Sequence, residues 1–170
     1  YHSVNMKADD FQITYREYDE ILRANNKIDF DDMLVFTYEL LRDRSDIRKM
    51  WQQRFQYILI DEFQDINWIQ YQTVKLLLGK KQNIFAVGDD DQSVYGFRGA
   101  DTKLMLGFPN DFPGTRLVYL NTNYRCSSAI VESACRIIKN NKERYKKAIH
   151  SAFEKSQCER VHVIEVDGMR

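Results

Sequence analysis

The sequence predicts an α/β fold in which helices flank a parallel sheet, and three observations predict it. In Tyr57–Asp65, which reads YILIDEFQD, a short apolar run typical of a buried strand breaks abruptly into acids. A second apolar run, Ile84–Val87, also ends in acids. The segment between them has helical spacing, and a strand, a helix and a strand in this order imply a right-handed parallel crossover. Both sets of acids should then reach the carboxyl edge of the sheet, where open α/β sheets bind ligands.

Two helices are expected before the first strand. From about Asp9 to Asn25, apolar residues recur at spacings of three and four, which places them on one helix face. Asp29 is expected to cap a second helix, with Asp32 near the positive end of its dipole. For Asp29, Asp31 and Asp32 we therefore favour capping over a functional role.

The helix after the first strand is expected to be capped by Asp65 and to end near Gly79. The only prolines, Pro109 and Pro113, bracket the segment that is the best candidate for a domain boundary or hinge.

The last third of the chain is predicted to contain two strands and a helix. The strands are expected over Arg116 to Leu120 and over Val161 to Val166, and Ser127 or Ser128 is expected to cap the helix between them. A basic run after this helix is interpreted as a solvated face. Its members are Lys139, Lys142, Arg144, Lys146 and Lys147.

Composition narrows the function classes. A length of 170 residues suits one domain, or one domain and part of another. Basic and acidic residues both number 25, so any nucleic-acid surface must be local. Cys126, Cys135 and Cys158 form no C-x-x-C pair, which favours reduced thiols and a cytoplasmic protein. No apolar run approaches the roughly 20 residues that a membrane helix needs.

The acids after the first strand suggest phosphate chemistry. Asp61 and Glu62 are adjacent, so on an extended backbone they point to opposite sides. One carboxylate could hold a metal ion against phosphates while the other accepts a proton from an attacking water. The alternative is that both acids solvate a turn and cap the next helix.

The second set of polar residues adds two possible functions. Asp89–Asp91 cannot all be buried as anions without partners, so some must bond backbone or a cation. Gln92 has both a donor and an acceptor, which suits sensing a phosphate oxygen or a water. If the loop is exposed, Tyr95 or Phe97 could stack on bases while Arg98 pairs with a phosphate. If it is buried, the same rings would be ordinary core, and the sequence favours neither reading.

Tyr124 and Arg125 lie in a predicted strand-to-helix turn. There an aromatic face can pack on a base and a guanidinium can reach a phosphate. A surface salt bridge is the alternative for this pair.

Taken together, four motifs resemble the UvrD/Rep family of superfamily 1 DNA helicases. They are IDFDDM at 28–33, ILIDEFQD at 58–65, VGDDDQSVYGFRGAD at 87–101 and NYRC at 123–126. The family has two RecA-like motor domains that hydrolyse ATP in the cleft between them, translocate 3′ to 5′ on single-stranded DNA and unwind duplexes.

The resemblance implies three parts in this chain. Residues 1–27 would be the tail of a helical insertion in the first motor domain. Residues 28–115 would be the C-terminal part of that RecA-like ATPase domain, with an incomplete sheet of the P-loop NTPase type. Residues 116–170 would begin the second RecA-like domain.

The resemblance also implies a nucleotide site for ATP and Mg²⁺. Asp61 would hold Mg²⁺, and Glu62 would be the general base. Gln92 would read the γ-phosphate and couple it to DNA. Tyr124 would pack on adenine, and Arg125 would be an arginine finger supplied in cis.

For DNA, the resemblance implies that Phe97 and Tyr95 stack on bases and that Arg98 meets the strand or its acidic neighbours. The partners would be single-stranded DNA, duplex junctions and repair or replication proteins, with no membrane. Phe97 stands where many members have tryptophan, which should weaken stacking. Cys126 and Ile66 replace a serine and a threonine common in the family.

The sequence contains no G-x-x-x-x-G-K-S/T loop, which in the family cradles the phosphates. The chain opens without methionine and is interpreted as an internal fragment that alone neither hydrolyses ATP nor unwinds DNA. Two alternatives are a naturally truncated, non-catalytic module that binds DNA or a partner, and a metal-dependent phosphohydrolase using Asp61 with Asp89–Asp91. The second would leave Gln92, Tyr124 and Arg125 without a role.

Overall fold

A computed structural model describes residues 7–153 and residue 164. The predicted strand over Val161–Val166 therefore lies outside the described residues, apart from Ile164. The described chain forms two compact units. The first contains residues 7–61 and 66–86, and the second contains residues 62–65 and 87–153. These divisions differ from the predicted domain limits at residues 27 and 115, which remain predictions.

The first unit contains four helices and a parallel pair of strands. Its elements are α1 (Ala8–Ala24), α2 (Phe30–Asp43), α3 (Ser45–Arg54), β1 (Ile58–Ile60), α4 (Trp68–Leu77) and β2 (Ile84–Ala86).

Helix α2 begins with the cap that the sequence predicts. The Asp29 side chain accepts from the backbone N–H of Asp32 at 2.8 Å, and the Asp32 carboxylate accepts from the Asp29 N–H at 3.2 Å. The Tyr18 hydroxyl of α1 also donates to Asp29, at 3.0 Å. The Asp32 N–H, helped by Tyr18, lowers the pKa of Asp29. Because a reciprocal pair of this kind satisfies two helix-terminal donors, the capping prediction is confirmed for Asp29 and Asp32.

Helix α4 begins differently from the prediction. Asp65 does not cap it, because Asp65 ends a short 3₁₀ helix, Phe63–Asp65. The cap is Asn67, whose side chain accepts from the Gln70 N–H at 2.9 Å while the Gln70 side chain accepts from the Asn67 N–H at 3.0 Å. The 3₁₀ turn takes up Phe63–Asp65, so the cap of α4 lies two positions later than predicted, at Asn67 instead of Asp65. The helix ends at Leu77, just before Gly79.

Strands β1 and β2 pair in parallel, with Ile58 opposite Ile84 and Ile60 opposite Ala86, which confirms the crossover through α4. The expectation that β1 is buried is only half right. Leu59 is 71% exposed, and its partner Phe85 is 60% exposed. Side chains alternate between faces of a sheet, and among the described residues only one face of this two-stranded sheet is covered.

The second unit is built around an aromatic core. Its helices and strands are α5 (Thr102–Asp111), β3 (Thr122–Asn123), α6 (Ser128–Ile138) and β4 (His150–Ser151), with 3₁₀ helices at Phe63–Asp65, Asp90–Gln92 and Gly96–Arg98. Phe63, Phe108 and Phe112 are all buried. The Phe63 and Phe108 ring centroids lie 5.3 Å apart, and those of Phe108 and Phe112 lie 4.7 Å apart. These ring contacts anchor α5 on the turn that follows β1.

Pro109 lies inside α5 rather than in a loop. A proline has no N–H, so it cannot donate to the carbonyl of Met105, four residues earlier. The Tyr145 hydroxyl donates to that carbonyl at 3.0 Å instead. The hinge expected between Pro109 and Pro113 is therefore occupied by the end of a helix.

Residues 116–120 do not form the predicted strand. Residues 115–121 have no regular structure, and Leu120 is exposed. A strand needs a neighbour for its backbone hydrogen bonds, and among the described residues the pairing begins only at Thr122, opposite His150. Ser127 occupies the cap position of α6 as expected, but its side chain makes no capping hydrogen bond.

No helix in the described part of the chain is both long enough and apolar enough to cross a membrane.

Candidate functional site

The acidic pair follows β1 directly. Asp61 is the first residue after the strand, and both Asp61 and Glu62 are exposed. Glu62 has a positive φ of 50°, a conformation that costs a non-glycine residue about 1–3 kcal/mol and that is often found at functional sites. This backbone conformation turns the chain at the carboxyl end of β1, where the sequence predicts the metal-binding and general-base carboxylates.

Gln64 is a site residue that the sequence reasoning missed. It is only 2% exposed, and each end of its amide has a partner. The amide nitrogen donates to Glu62 Oε2 at 2.7 Å, and the amide oxygen accepts from the Asp89 N–H at 3.0 Å. The sequence offered one signal for this role, which is that Gln64 lies between Glu62 and Asp65. An amide in such a place can donate to a carboxylate and accept from a backbone N–H.

Gly88 lets the two loops approach each other closely. A Cβ at this position would lie 2.6 Å from the Gln64 amide oxygen and 3.0 Å from the backbone nitrogen of Phe63. The Phe63 N–H donates to the carbonyl of Val87, at 2.9 Å. Because only glycine leaves room here, the turn after β1 and the turn after β2 are fixed against each other.

Gln92 completes a chain of hydrogen bonds that starts at Glu62. Its side-chain nitrogen donates to Asp89 Oδ2 at 2.7 Å, and Asp89 is tied through its own N–H to Gln64. The structure thus brings together two predicted catalytic residues, Glu62 and Gln92, through Gln64 and Asp89.

The three aspartates at 89–91 bind basic residues that come much later in the chain. The Lys147 ammonium lies 2.5 Å from Asp89, 2.6 Å from Asp90 and 2.8 Å from Asp91. Arg144 donates two hydrogen bonds to Asp91, at 2.6 and 2.5 Å. The interpretation of the basic run as a solvated face is wrong for these two residues, because the Arg144 side chain is 13% exposed and that of Lys147 is 11% exposed.

Opposite charges favour the ionised forms of Asp89, Asp91 and Lys147. Burial alone would raise the pKa of Asp89 and Asp91, but hydrogen bonds from Lys147, Arg144 and Gln92 outweigh it and lower both pKa values. Burial alone would likewise lower the pKa of Lys147, and its three carboxylate partners raise it instead. The expectation that some of these aspartates bond backbone or a cation is confirmed on both counts: the Tyr145 N–H donates to Asp90, and the cations are Lys147 and Arg144 of the chain itself.

The loop that follows is exposed. Phe97 is 79% exposed, and its ring centroid lies 5.9 Å from that of Tyr95, which is 39% exposed. The Arg98 guanidinium lies 5.1 Å from the Tyr95 centroid and 5.4 Å from the Phe97 centroid. The loop is therefore exposed and its rings do not enter the core. Stacking of Tyr95 and Phe97 on bases remains a prediction.

Tyr124 and Arg125 lie in the turn between β3 and α6, where both are exposed. The Asn123 side chain accepts from the N–H groups of Arg125 and Cys126, at 2.9 and 2.8 Å, and so fixes the turn. Among the residues described, no hydrogen bond or ion pair joins either side chain to Gln92. The structure therefore presents both side chains at the surface of this turn.

Comparison with known proteins identifies the family. Residues 2–113 match the UvrD/REP helicase N-terminal domain. The chain belongs to the UvrD/REP helicase family.

Individual relatives agree with this assignment. The chain is 45% identical over 143 residues to the putative ATP-dependent DNA helicase YjcD of Bacillus subtilis, which covers 84% of this chain and 19% of YjcD. It is 40% identical over 151 residues to the ATP-dependent DNA helicase PcrA of Staphylococcus aureus, or 89% of this chain and 20% of PcrA. A probable DNA helicase II homolog of Rickettsia conorii is 40% identical over 146 residues, or 86% of this chain and 22% of that protein. The chain thus spans about a fifth of the length of these relatives.

The resemblance that the motifs indicate is confirmed, and so is an α/β fold with parallel strands and flanking helices. The division into RecA-like domains and the roles of the individual site residues remain predictions.

Proposed function

We propose that this chain is part of an ATP-driven DNA helicase and that Glu62 and Gln92 act on the nucleotide. The hydrogen-bond chain from Glu62 through Gln64 and Asp89 to Gln92 carries this proposal. It holds a carboxylate and a neutral amide in one hydrogen-bonded unit after two parallel strands, and these groups suit a general base and a residue that orients a phosphate or a water. The relatives are named as ATP-dependent DNA helicases, which supports the same conclusion.

In this proposal Glu62 accepts the proton of the attacking water. The Gln64 amide bonds one of its carboxylate oxygens and so limits rotation of the side chain. Gln92, exposed and held by Asp89, hydrogen-bonds the terminal phosphate or the water. The two groups are pre-organised by two partners, Gln64 and Asp89, that are hydrogen-bonded to each other.

Asp61 fits the requirements for holding Mg²⁺, because it is an exposed carboxylate at the carboxyl end of β1 and hard cations prefer oxygen ligands. When bound, the ion would neutralise charge on the phosphates. Asp89–Asp91 do not fit that role, since Lys147 and Arg144 already bind their oxygens.

Tyr124 and Arg125 would act from a second motor domain that begins near residue 116. Tyr124 is 76% exposed, which leaves its ring available to pack on adenine. Arg125 would stabilise charge on the γ-phosphate. Residues 28–115 would belong to the first RecA-like domain, and residues 1–27 to its helical insertion.

The surface formed by Tyr95, Phe97 and Arg98 would contact single-stranded DNA. Two exposed rings next to a guanidinium offer stacking faces and a phosphate partner, which is how sequence-tolerant single-strand binding is built. The coupled motor would translocate 3′ to 5′ and act at duplex junctions. Alone, the chain would not hydrolyse ATP, because it contains no G-x-x-x-x-G-K-S/T loop.

The variant Glu62→Gln in the full-length parent protein tests this proposal. Nucleotide binding should be nearly unchanged, and ATP turnover should fall by roughly 10²–10⁴-fold, because a general base is removed without a change of shape. Glu20→Gln, at an exposed position of α1, is the matched control and should keep full turnover. Unchanged turnover in Glu62→Gln would show that Glu62 is not the base.

A further inference from the structure

The turn that carries Gln92 is held in place by the segment after α6. Lys147 contacts all three carboxylates of Asp89–Asp91, and Arg144 forms a two-pronged bond to Asp91. Between them, the backbone N–H of Tyr145 donates to Asp90 Oδ2 at 2.7 Å. Three donors within four residues therefore bind three consecutive acids.

Asp89 connects Lys147 to Gln92, because its carboxylate accepts a hydrogen bond from each of them. One of its oxygens, Oδ1, accepts from Lys147 at 2.5 Å and from the Asp91 N–H at 3.2 Å. The other, Oδ2, accepts from Gln92 at 2.7 Å. A carboxylate is rigid and planar, so fixing Oδ1 also fixes the position of Oδ2 and of the amide bonded to it.

Stability alone does not explain the charged cluster. Buried ion pairs often contribute no more stability than apolar residues of similar volume, because desolvation offsets their attraction. They do impose one geometry, since each oxygen needs its donor. Here the carboxylate oxygens lie within 4.8 Å of one another, and Lys147 satisfies all three residues at once.

The same segment also reaches the turn that carries Tyr124 and Arg125. Strand β4 pairs with β3, and the Ser151 hydroxyl donates to the carbonyl of Cys126 at 2.7 Å. The segment from Arg144 to Ser151 is thus bonded to the Gln92 turn at one end and to the Tyr124 turn at the other.

We propose that Lys147, supported by Arg144, is a positioning residue that sets the orientation of Gln92 through Asp89. This inference rests on the proposed function, because it gives Gln92 its catalytic purpose. It adds a requirement that lies outside the recognised motifs: the basic residues after α6 must be in place for Gln92 to work.

The experiment uses the full-length parent with Lys147→Met, which removes the charge and keeps most of the side-chain length. The neighbouring Lys146→Met is the matched control, because Lys146 is exposed. In Lys147→Met, kcat for ATP should fall by up to about 10²-fold, since small misplacements of a catalytic group have effects of this size. KM for ATP should change much less, and Lys146→Met should behave as wild type.

A double mutant shows whether Lys147 acts through Gln92. If it does, Gln92→Ala and the double variant Gln92→Ala/Lys147→Met should have the same kcat, because the second change has nothing left to misplace. Multiplying losses would overturn the proposal, as would a folded Lys147→Met protein with normal kcat. Lys147→Arg, which keeps the charge, should recover part of the activity.

A crystal structure of the full-length Lys147→Met protein gives a readout that does not depend on ATP turnover. The Gln92 amide should leave Asp89 Oδ2 in this variant and stay bonded to it in Lys146→Met. An intact Asp89–Gln92 bond without Lys147 would overturn the proposal. If Lys147→Met does not fold, Lys147→Gln serves the same purpose, because it removes the charge, keeps a polar end beside the three carboxylates and leaves Asp89 intact as the acceptor for Gln92. Absence of ATP hydrolysis in the wild-type parent would instead contradict the proposed function.

Discussion

Replacing Gly88 by alanine should destabilise the protein and disturb the site at once. The new Cβ would lie 2.6 Å from the Gln64 amide oxygen, 3.0 Å from the Phe63 nitrogen and 3.2 Å from the Gln64 nitrogen. Two of these atoms are backbone, and the third belongs to a buried side chain. A shift of the Phe63 nitrogen or of the Gln64 amide oxygen would break a hydrogen bond. Overpacking of this kind typically costs about 1–3 kcal/mol.

Gly107→Ala is a control with the opposite expected sign. Gly107 lies within α5, and a Cβ there would have no neighbour within 4 Å. Alanine in a helix is favoured over glycine by roughly 0.5–1 kcal/mol, so this variant should be slightly more stable than wild type. Urea unfolding of both variants in the full-length protein measures the two free energies.

The displaced amide of Gln64 should also loosen Glu62, so Gly88→Ala should lose ATP turnover as well as stability. Stability equal to wild type in Gly88→Ala would refute the close approach of the two turns. Equal losses in Gly88→Ala and Gly107→Ala would refute the site-specific explanation.

Two further predictions concern the charged cluster and the DNA surface. Folding lowers the pKa values of Asp89 and Asp91, so their contribution to stability is present above their unfolded pKa of about 3.9 and is lost as the pH falls through the folded values. Folding raises the pKa of Lys147. The contribution of Lys147 is therefore present below its unfolded pKa of about 10.4 and is lost as the pH rises through its folded value. In urea unfolding between pH 3 and pH 11, the stability difference between wild type and Lys147→Met should therefore be largest between about pH 4 and pH 10 and should decrease outside that window. An identical difference at every pH would contradict this. Phe97→Ala should weaken binding of single-stranded DNA in a titration by about 1–3 kcal/mol without changing the free energy of unfolding. The control Val94→Ala, at a position 69% exposed, should change neither quantity. A loss of folding in Phe97→Ala would show that the ring has a structural role instead.

Local signals in the sequence predicted much of the fold. Asp29 and Asp32 lie three residues apart before an apolar stripe, and that spacing is enough to specify a capping box. The parallel pairing of β1 and β2 followed from two apolar runs around a helical segment. The prediction that Asp65 caps α4 was wrong because Asp65 belongs to a 3₁₀ turn and Asn67, two residues later, is an equally suitable cap.

Features that depend on distant pairing could not be predicted in the same way. Arg144 and Lys147 lie more than 50 residues from the aspartates they bind, and a basic run looks the same in sequence whether it is solvated or paired. Residues 116–120 have the composition of a strand, but composition does not supply a neighbour to pair with. The pairing of Gln64 with both Glu62 and Asp89 required the approach of two turns that only the folded chain shows.

The most direct test of the account is steady-state ATP hydrolysis by the full-length parent protein with and without single-stranded DNA. The account predicts that single-stranded DNA raises kcat, because Gln92 and the surface of Tyr95, Phe97 and Arg98 lie in consecutive turns of one segment. An ATPase rate that is the same with and without DNA would contradict the coupling of nucleotide to DNA that the account assigns to this segment.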